Sequence, residues 1–242
     1  MRAWTFRLLG GFRIAVDGET IASLSAGKIS LLLAYLILAD DLPISRKRIA
    51  FDFWPDSTER QALANLRKLL YDLRDRLPQA DRLLKATPAF LLWEHETPIY
   101  SDVKEFELAA RGVTLPDLYR AAELYRGELM PGYNAEWLEA KRQSLAQKHA
   151  MVLEKIVTLL ESRGEYSSAV FYANQLLQHN QLREETYRSL MRLHGLSHDM
   201  AGVVRAYRQA CSVLQTELGI APSDETKRLY EKFAQSQEAT GR

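Results

Sequence analysis

Cysteine is almost absent from this sequence of 242 residues, in which Cys211 is the single example. One thiol cannot form a disulfide within the chain, so the sequence fits a reducing compartment and we expect a cytoplasmic protein. The apolar segment of a secretory signal is also missing, because Arg7 and Arg13 interrupt the apolar stretch near the N-terminus. These absences argue against a disulfide-stabilised secreted domain.

Long apolar runs and an excess of one charge are lacking too. The longest apolar run, 30–39, is about half of the ~20 residues that a membrane span needs, so we interpret it as a buried helix and expect no membrane partner. Lys plus Arg number 32 and Asp plus Glu 31, for a net charge of +1. Bulk charge therefore does not attract nucleic acid or membrane, which leaves room for a local basic patch.

Complete catalytic and metal-binding motifs are missing. The pair Gly27-Lys28 is not a phosphate-binding loop, because such a loop needs glycine where Ala22 stands and Ser or Thr where Ile29 stands. His194 and His198 could share a helix face, but no third metal ligand accompanies them. Neither a nucleophile elbow nor a pair of catalytic carboxylates appears. We therefore expect no enzyme, no metal and no cofactor.

Strand signals dominate the start of the chain. The run 6–21 alternates between apolar and polar residues and breaks at Gly10-Gly11 and at Asp17-Gly18. Because Asp-Gly between strand-like runs favours a tight turn, we predict a β-hairpin here. The apolar run then predicts a helix over about 28–39, followed by a loop at 40–45.

Two further helices and a second hairpin follow. Ser45 can cap one helix, and Ser57 or Thr58 can cap the next, which should run to Pro78. Two short apolar strands around 86–88 predict the hairpin. Strands, three helices and a terminal hairpin are the element order of a winged helix-turn-helix, an α+β fold, although other small α+β domains share this order.

The helix at 58–78 has two distinct faces. At 100° per residue its leucines fall on one broad stripe, which is the face expected in the core. The opposite face carries amide, basic and small side chains in its N-terminal half. The core stripe consists of Ala62, Leu63, Leu66, Leu69, Leu70, Leu73 and Leu77.

The outer face of this helix suits contact with DNA. Long donors reach phosphates and base edges, and a small residue between them permits close approach. A solvated face of mixed charge would show the same pattern, so both interpretations stay open. The candidate contacts are Gln61, Ala64, Lys68 and Tyr71 on the outer face, Arg60, Arg67 and Arg74 on one flank, Asn65 on the other flank, and Lys85 and Thr87 near the tip of the second hairpin.

The chain after residue 105 follows the helical period almost throughout. The longest predicted helix, 135–164, stops at Gly164, and helices with short joints follow it. A weak internal repeat has the 34-residue period of tetratricopeptide repeats, and this period indicates stacked helix pairs. The repeat aligns Tyr166, Ala169 and Ala173 with Met200, Val203 and Tyr207.

The first part of the chain, 4–106, closely resembles the OmpR-like winged helix of SARP-type bacterial transcriptional activators. The resemblance rests on "LLGGFRIAVDG", "SRKRIAFDFWPDS", "ANLRKLLYDLR" and "IYSDVKEFE". It implies DNA contact by Asn65, Arg67, Lys68, Tyr71 and Arg74. One departure is the pair of acids at 72 and 75, where family members are often strongly basic.

The second part, 106–233, closely resembles the bacterial transcriptional activator domain that follows the winged helix in these regulators. The matching pieces are "LYRGELMPGY", "EWLEAKRQSL", "EETYRSLMRLH" and "LQTELGIAPSDE". One departure is Gln181, where such repeats often carry proline. The resemblance implies RNA polymerase as a partner and binding to direct repeats in promoters.

We therefore predict two domains, a winged helix-turn-helix at 1–105 and an all-α, tetratricopeptide-like domain at 106–242. The predicted function is sequence-specific DNA binding and transcriptional activation at promoters, with self-association on DNA. The alternative is a helical-repeat scaffold whose winged helix binds protein. The operator, the activating signal and any further domains stay open.

Overall fold

The computed structural model describes residues 3–24, 27–39, 42–93 and 99–240, with the backbone alone for 236–240. Asp40 and Asp41 of the predicted loop lie outside the described residues. The chain divides into two compact units. The first contains 1–112 and 120–146, and the second contains 113–119 and 147–242.

Two sheets form in the first unit. The strand order is β3-β2-β1-β7 in one and β4-β6-β5 in the other. All pairs are antiparallel except β1 with β7, which is parallel. The strands are β1 (Trp4–Arg7), β2 (Arg13–Val16), β3 (Glu19–Thr20), β4 (Ile44–Ser45), β5 (Leu84–Ala86), β6 (Phe90–Trp93) and β7 (Ile99–Ser101).

Along the chain, helices alternate with these strands as far as β7. After β7 the regular secondary structure of the described residues consists of helices. A short 3₁₀ helix at Ala22–Leu24 comes first. The α-helices are α1 (Gly27–Ile37), α2 (Arg46–Phe53), α3 (Glu59–Arg76), α4 (Ala80–Leu83), α5 (Asp102–Ala109), α6 (Leu115–Leu124), α7 (Glu136–Ser162), α8 (Tyr166–His179), α9 (Glu184–Leu196), α10 (Met200–Leu218) and α11 (Asp224–Thr240).

The first hairpin turns where the sequence predicts. Asp17 and Gly18 both have positive φ, 51° and 88°, which is the backbone of the tight turn that Asp-Gly favours. The turn at Gly10-Gly11 joins β1 to β2. Alternate side chains of these two strands point into the core, and Phe6 and Ile14 among them are fully buried. The sheet therefore covers the helices with one face only.

One core joins the first sheet to α1, α2 and α3. The rings of Trp4 and Phe6 both meet Trp93 edge-on, with centroids 6.1 and 5.7 Å apart. Leu66 and Leu73 of α3 are fully buried in the same cluster. Burial of a leucine of this kind stabilises a fold by roughly 1.5–3 kcal/mol.

A chain segment beyond residue 105 packs on the first sheet. Gly10 donates its backbone N–H to Glu128 O at 2.9 Å, and Met130 donates to Leu8 O at 2.8 Å. The Arg142 guanidinium then binds the carbonyls of Leu129, Met130 and Tyr133. These bonds place 120–146 in the first unit. The compact units therefore differ in extent from the predicted domains, 1–105 and 106–242, and that division stays a prediction.

The second unit contains a stack of helices joined by short turns. Helix α8 begins at Tyr166 and α10 at Met200, which matches the predicted repeat. Small residues of both helices are buried at their contacts with neighbours, including Ala169, Ala173 and Ala206. Within the described residues, no helix is long and apolar enough to cross a membrane.

Some local predictions were wrong. Ser45 stands at the N-cap position of α2, but its hydroxyl makes no capping hydrogen bond, and its backbone belongs to β4, which pairs with β6. Leu63, by contrast, is half-buried and packs against the core cluster, as the predicted core stripe requires. Helix α3 ends two residues before Pro78, and the strands β4 and β7 and the short helix α4 were not predicted. Pairing of two or three residues with a distant strand leaves no periodic signal in the sequence.

Candidate nucleic-acid interface

Helix α3 is fixed at its start and along one face. The Thr58 hydroxyl accepts the N–H of Gln61 at 3.3 Å, so Thr58 provides the N-cap. The predicted core stripe points inward, with Leu63 at its margin. This anchoring orients the opposite face outward as a rigid surface.

The candidate side chains of α3 lie on that outward face. Tyr71 is the most open of the large apolar side chains there, with 74% of its surface exposed. Asn65 is half-buried, and Gln61 donates to its side-chain oxygen at 3.1 Å, so the two amides form one unit on the first turns. The exposed candidates are Arg60, Gln61, Ala64, Arg67, Lys68, Tyr71 and Arg74.

An arginine that the sequence analysis missed stands beside this face. Arg46, the first residue of α2, donates to the carbonyl of Thr87 at 3.2 Å. Burial, and then the positive charges of Arg67 and Arg74, lower the pKa of the Arg46 guanidinium. The charges of Arg67 and Arg74 on α3 therefore reach Arg46 at the hairpin, and these three residues are here named the arginine cluster. Arg74 also lies 3.6 Å from the carboxylate of Asp81. The basic run "SRKR" was the available signal, but no sequence period relates it to α3.

The second hairpin, β5 and β6, is the wing. Its tip is closed by Thr87, whose hydroxyl accepts the N–H groups of Ala89 and Phe90 at 3.3 and 2.9 Å. The Thr87 side chain is thus engaged in the turn itself. Lys85 lies on β5 opposite Leu92, and its side chain is exposed. The wing therefore offers a basic side chain near a well-defined turn.

Acidic residues border the interface along its length, and one of them, Asp81, lies 3.6 Å from the guanidinium of Arg74. Glu59, at the start of α3, pairs with Lys47 of α2 at 2.6 Å, so its charge is balanced locally. Asp72 is half-buried and lines a cavity of about 240 Å³ together with Trp54, Asn65 and Lys68. The exposed acid Asp75 lies in the last turns of α3. The amide side chains thus lie in the first half of α3, whereas basic side chains continue to Arg74 and Arg76 in its last turn.

The residues considered for other chemistry have structural surroundings. Lys28 donates to the carbonyl of Phe53 at 3.1 Å and lies 4.4 Å from the centre of the Trp54 ring. His194 contacts Asp199 at 3.0 Å, while His198 stands in a turn with φ 58°. In the described ranges, no three side chains of the metal-binding kinds come together.

Comparison with known proteins places this geometry in context. A family model described as "Bacterial transcriptional activator domain" matches residues 102–233. Regulatory protein AfsR of Streptomyces coelicolor is 24% identical over 246 residues, which cover 98% of this chain and 25% of AfsR. The chain therefore spans a quarter of that relative's length.

A solved structure shares the fold. Mycobacterium tuberculosis EmbR, solved in complex with a low-affinity phosphopeptide, matches with a TM-score of 0.77 at 20% identity. The match covers 98% of this chain and 66% of the EmbR chain. The similarity therefore extends through the winged helix-turn-helix and the helical repeats alike.

Proposed function

The chain belongs to the bacterial transcriptional activator domain family, and from this premise we propose that it binds promoter DNA through α3 and the wing. Members of this family are transcription regulators and not enzymes, and the resemblance to SARP-type activators is confirmed. In this proposal α3 enters the major groove, and the wing contacts the DNA backbone next to it. Both elements pack on the same hydrophobic core of the protein.

The arginine cluster is the observation that carries this proposal. Like charges repel, so the charges of Arg67 and Arg74 act against the charge of half-buried Arg46 in the unbound protein, and Asp81 beside Arg74 offsets part of this repulsion. A bound phosphate would offset the remaining repulsion, and arginine binds phosphate through two parallel hydrogen bonds. A surface cluster between a recognition helix and a wing has the position that contact with the DNA backbone requires.

Sequence readout would come from the amide and basic residues of α3. Asn and Gln suit adenine edges, and Arg or Lys suits guanine edges. We assign base contact to Gln61, Asn65 and Lys68, with Ala64 allowing close approach. Backbone contact is assigned to Arg60, Arg67, Arg74 and, at the wing, Lys85.

The remaining proposals concern partners. The near-neutral net charge gives one chain few spare cations, so we propose that two chains bind adjacent direct repeats and contact each other on DNA. RNA polymerase is the proposed partner of the DNA-bound regulator. The cytoplasm is the compartment in which a bacterial regulator meets both.

A salt series on selected DNA tests the central proposal. The full chain would first select sequences from a random pool, and fluorescence polarisation would then measure their affinity at increasing salt. We expect log affinity to fall linearly with log salt, since each phosphate contact releases counterions. Arg67→Ala should lower the affinity for selected and random DNA by similar factors and make the salt dependence shallower by about one, the effect of losing one phosphate contact.

The matched control is Arg208→Ala, which removes the same charge from an exposed position on α10. Its affinity should equal that of the unaltered chain. Absence of any specific complex at every salt concentration would overturn the proposal and favour the scaffold that binds protein.

A further inference from the structure

Two arginines face each other on the outer surface of the first sheet. Arg7 at the end of β1 and Arg13 at the start of β2 are direct partners in the strand register. Both side chains are exposed, while the neighbouring Phe6 and Ile14 point into the core. Like charges directly opposite each other destabilise an antiparallel pair. The pairing of Arg7 with Arg13 therefore does not stabilise the sheet.

A third arginine, Arg126, lies beside the sheet because its backbone packs closely against Gly10. A Cβ on Gly10 would lie 3.0 Å from the Arg126 carbonyl oxygen, and a Cβ on Gly127 would lie 3.1 Å from the Gly10 Cα. Only glycines allow this approach of the two backbones. The bond from Gly10 N–H to Glu128 O then fixes the arrangement, so Arg126 stands beside the turn that joins β1 to β2.

The two acids near this site have other hydrogen-bond or ion-pair partners, and Asp102 also interacts electrostatically with Arg7. Asp102 lines the same site, but its carboxylate is buried and accepts the N–H groups of Leu8 and Leu9 at 2.9 to 3.0 Å. The Glu128 carboxylate lies 3.6 Å from the guanidinium of Arg142. The charge of Asp102 therefore offsets part of the charge of Arg7, and the three arginines together keep a net positive charge.

The surface around the arginine pair is concave on both sides. One cavity of about 220 Å³ is lined by Arg7, Arg13, Arg126 and the ring of Tyr100, next to Gly10 and Gly11. A second cavity of about 190 Å³ is lined by both sheet arginines together with Thr5 and Thr20. The volumes suit a small group and exclude a duplex.

We propose that Arg7, Arg13 and Arg126 form a binding site for a phosphate monoester dianion, carried either by a small molecule or by a phosphorylated side chain. Three guanidinium groups supply charge-assisted donors, and a doubly charged anion offsets their mutual repulsion. The site lies on the outer face of the sheet, whose inner face packs against the helices. It shares no residue with the arginine cluster of α2 and α3.

The experiment follows the arginine side-chain N–H signals of the ¹⁵N-labelled full chain by NMR. Inorganic phosphate is added above its second pKa, against sodium chloride at the same ionic strength. We expect saturable shifts at Arg7, Arg13 and Arg126, and none with chloride. Shifts that rise linearly without saturation, or that chloride reproduces, would overturn the proposal.

Two variants separate this site from the DNA surface. Arg13→Gln should abolish the saturable shifts of Arg7 and Arg126, whereas Arg67→Gln on α3 should leave the shifts of Arg7, Arg13 and Arg126 unchanged, and circular dichroism would verify that both variants fold. Equal loss in the two variants would assign phosphate to the α3 surface and reject the sheet site. Phosphoserine and adenosine monophosphate then distinguish the two sources, and failure of both to bind would also reject the assignment.

Discussion

At the scale of single residues, the two faces of α3 should separate stability from binding. Leu66 is fully buried and Lys68 is exposed two residues later. Leu66→Ala should lower the free energy of unfolding by roughly 2–5 kcal/mol, the usual cost of an emptied leucine site. Lys68→Ala should leave stability unchanged and weaken DNA binding. Urea denaturation and fluorescence polarisation measure the two effects, and normal DNA binding by folded Lys68→Ala would contradict the assignment.

A histidine pair in the second unit should make stability depend on pH. Nδ1 of His149 lies 2.7 Å from Nε2 of His179, and His149 is only 6% exposed. Burial, and then the charge of His179, lowers the pKa of His149 to about 4. The unfolded chain, with a histidine pKa near ~6.5, therefore takes up the proton first as the pH falls.

The free energy of unfolding should therefore be unaffected by His149 above pH ~6.5, where this histidine is neutral in both states. Below that pH it should fall progressively, by up to ~3 kcal/mol at about pH 4. His149→Asn should flatten this part of the stability curve, because the amide cannot titrate. His198→Asn is the control, since His198 is exposed and its positive φ suits asparagine. Urea melts between pH 4 and pH 7 provide the measurement, and identical curves for all three chains would refute the assignment.

At the scale of elements, α9 and α11 pack through a glycine. A Cβ on Gly195 would overlap the ring of Phe233, far inside normal contact distance. Gly195→Ala should therefore lower the free energy of unfolding by roughly 1–3 kcal/mol, because overpacking outweighs the better helix propensity of alanine. In a Phe233→Leu background the same change should cost less or become stabilising. A thermal-melt double-mutant cycle tests this coupling, and additive effects would disprove it.

The wing offers a second test at this scale. Lys85→Ala should weaken binding to selected and random DNA by similar factors, because contact with a phosphate carries little sequence information. The dependence of log affinity on log salt should become shallower by about one. Polarisation titrations on both DNAs measure this. A loss confined to the selected sequence would instead give Lys85 a role in base readout.

At the scale of the whole molecule, the question is how a chain of net charge +1 holds DNA. We expect two chains on adjacent direct repeats, since repeats ~10 to 10.5 base pairs apart put both recognition helices on one side of the duplex. Insertion of half a helical turn should abolish cooperative binding and leave weak binding to single sites. Analytical ultracentrifugation and gel shifts provide the stoichiometry. Undiminished cooperativity on the half-turn DNA, or a tight one-to-one complex, would rule out the arrangement.

The sequence by itself determined those features that depend on local periodicity. The leucine stripe of α3, the Asp17-Gly18 turn and the 34-residue repeat each follow from side-chain spacing along one segment, and all three appear in the structure. The outer face of α3 could be predicted for the same reason, because a helix with a buried stripe must expose the opposite side.

Only the tertiary structure decided which residues meet across distant segments. Arg46 joins Arg67 and Arg74 because β4 pairs with the wing and thereby fixes the start of α2. Arg126 reaches the turn at Gly10 because two glycines allow their backbones to touch. Short pairings and close backbone contacts leave no repeating signal along the chain, since their free energy comes from partners more than 40 residues away in the sequence.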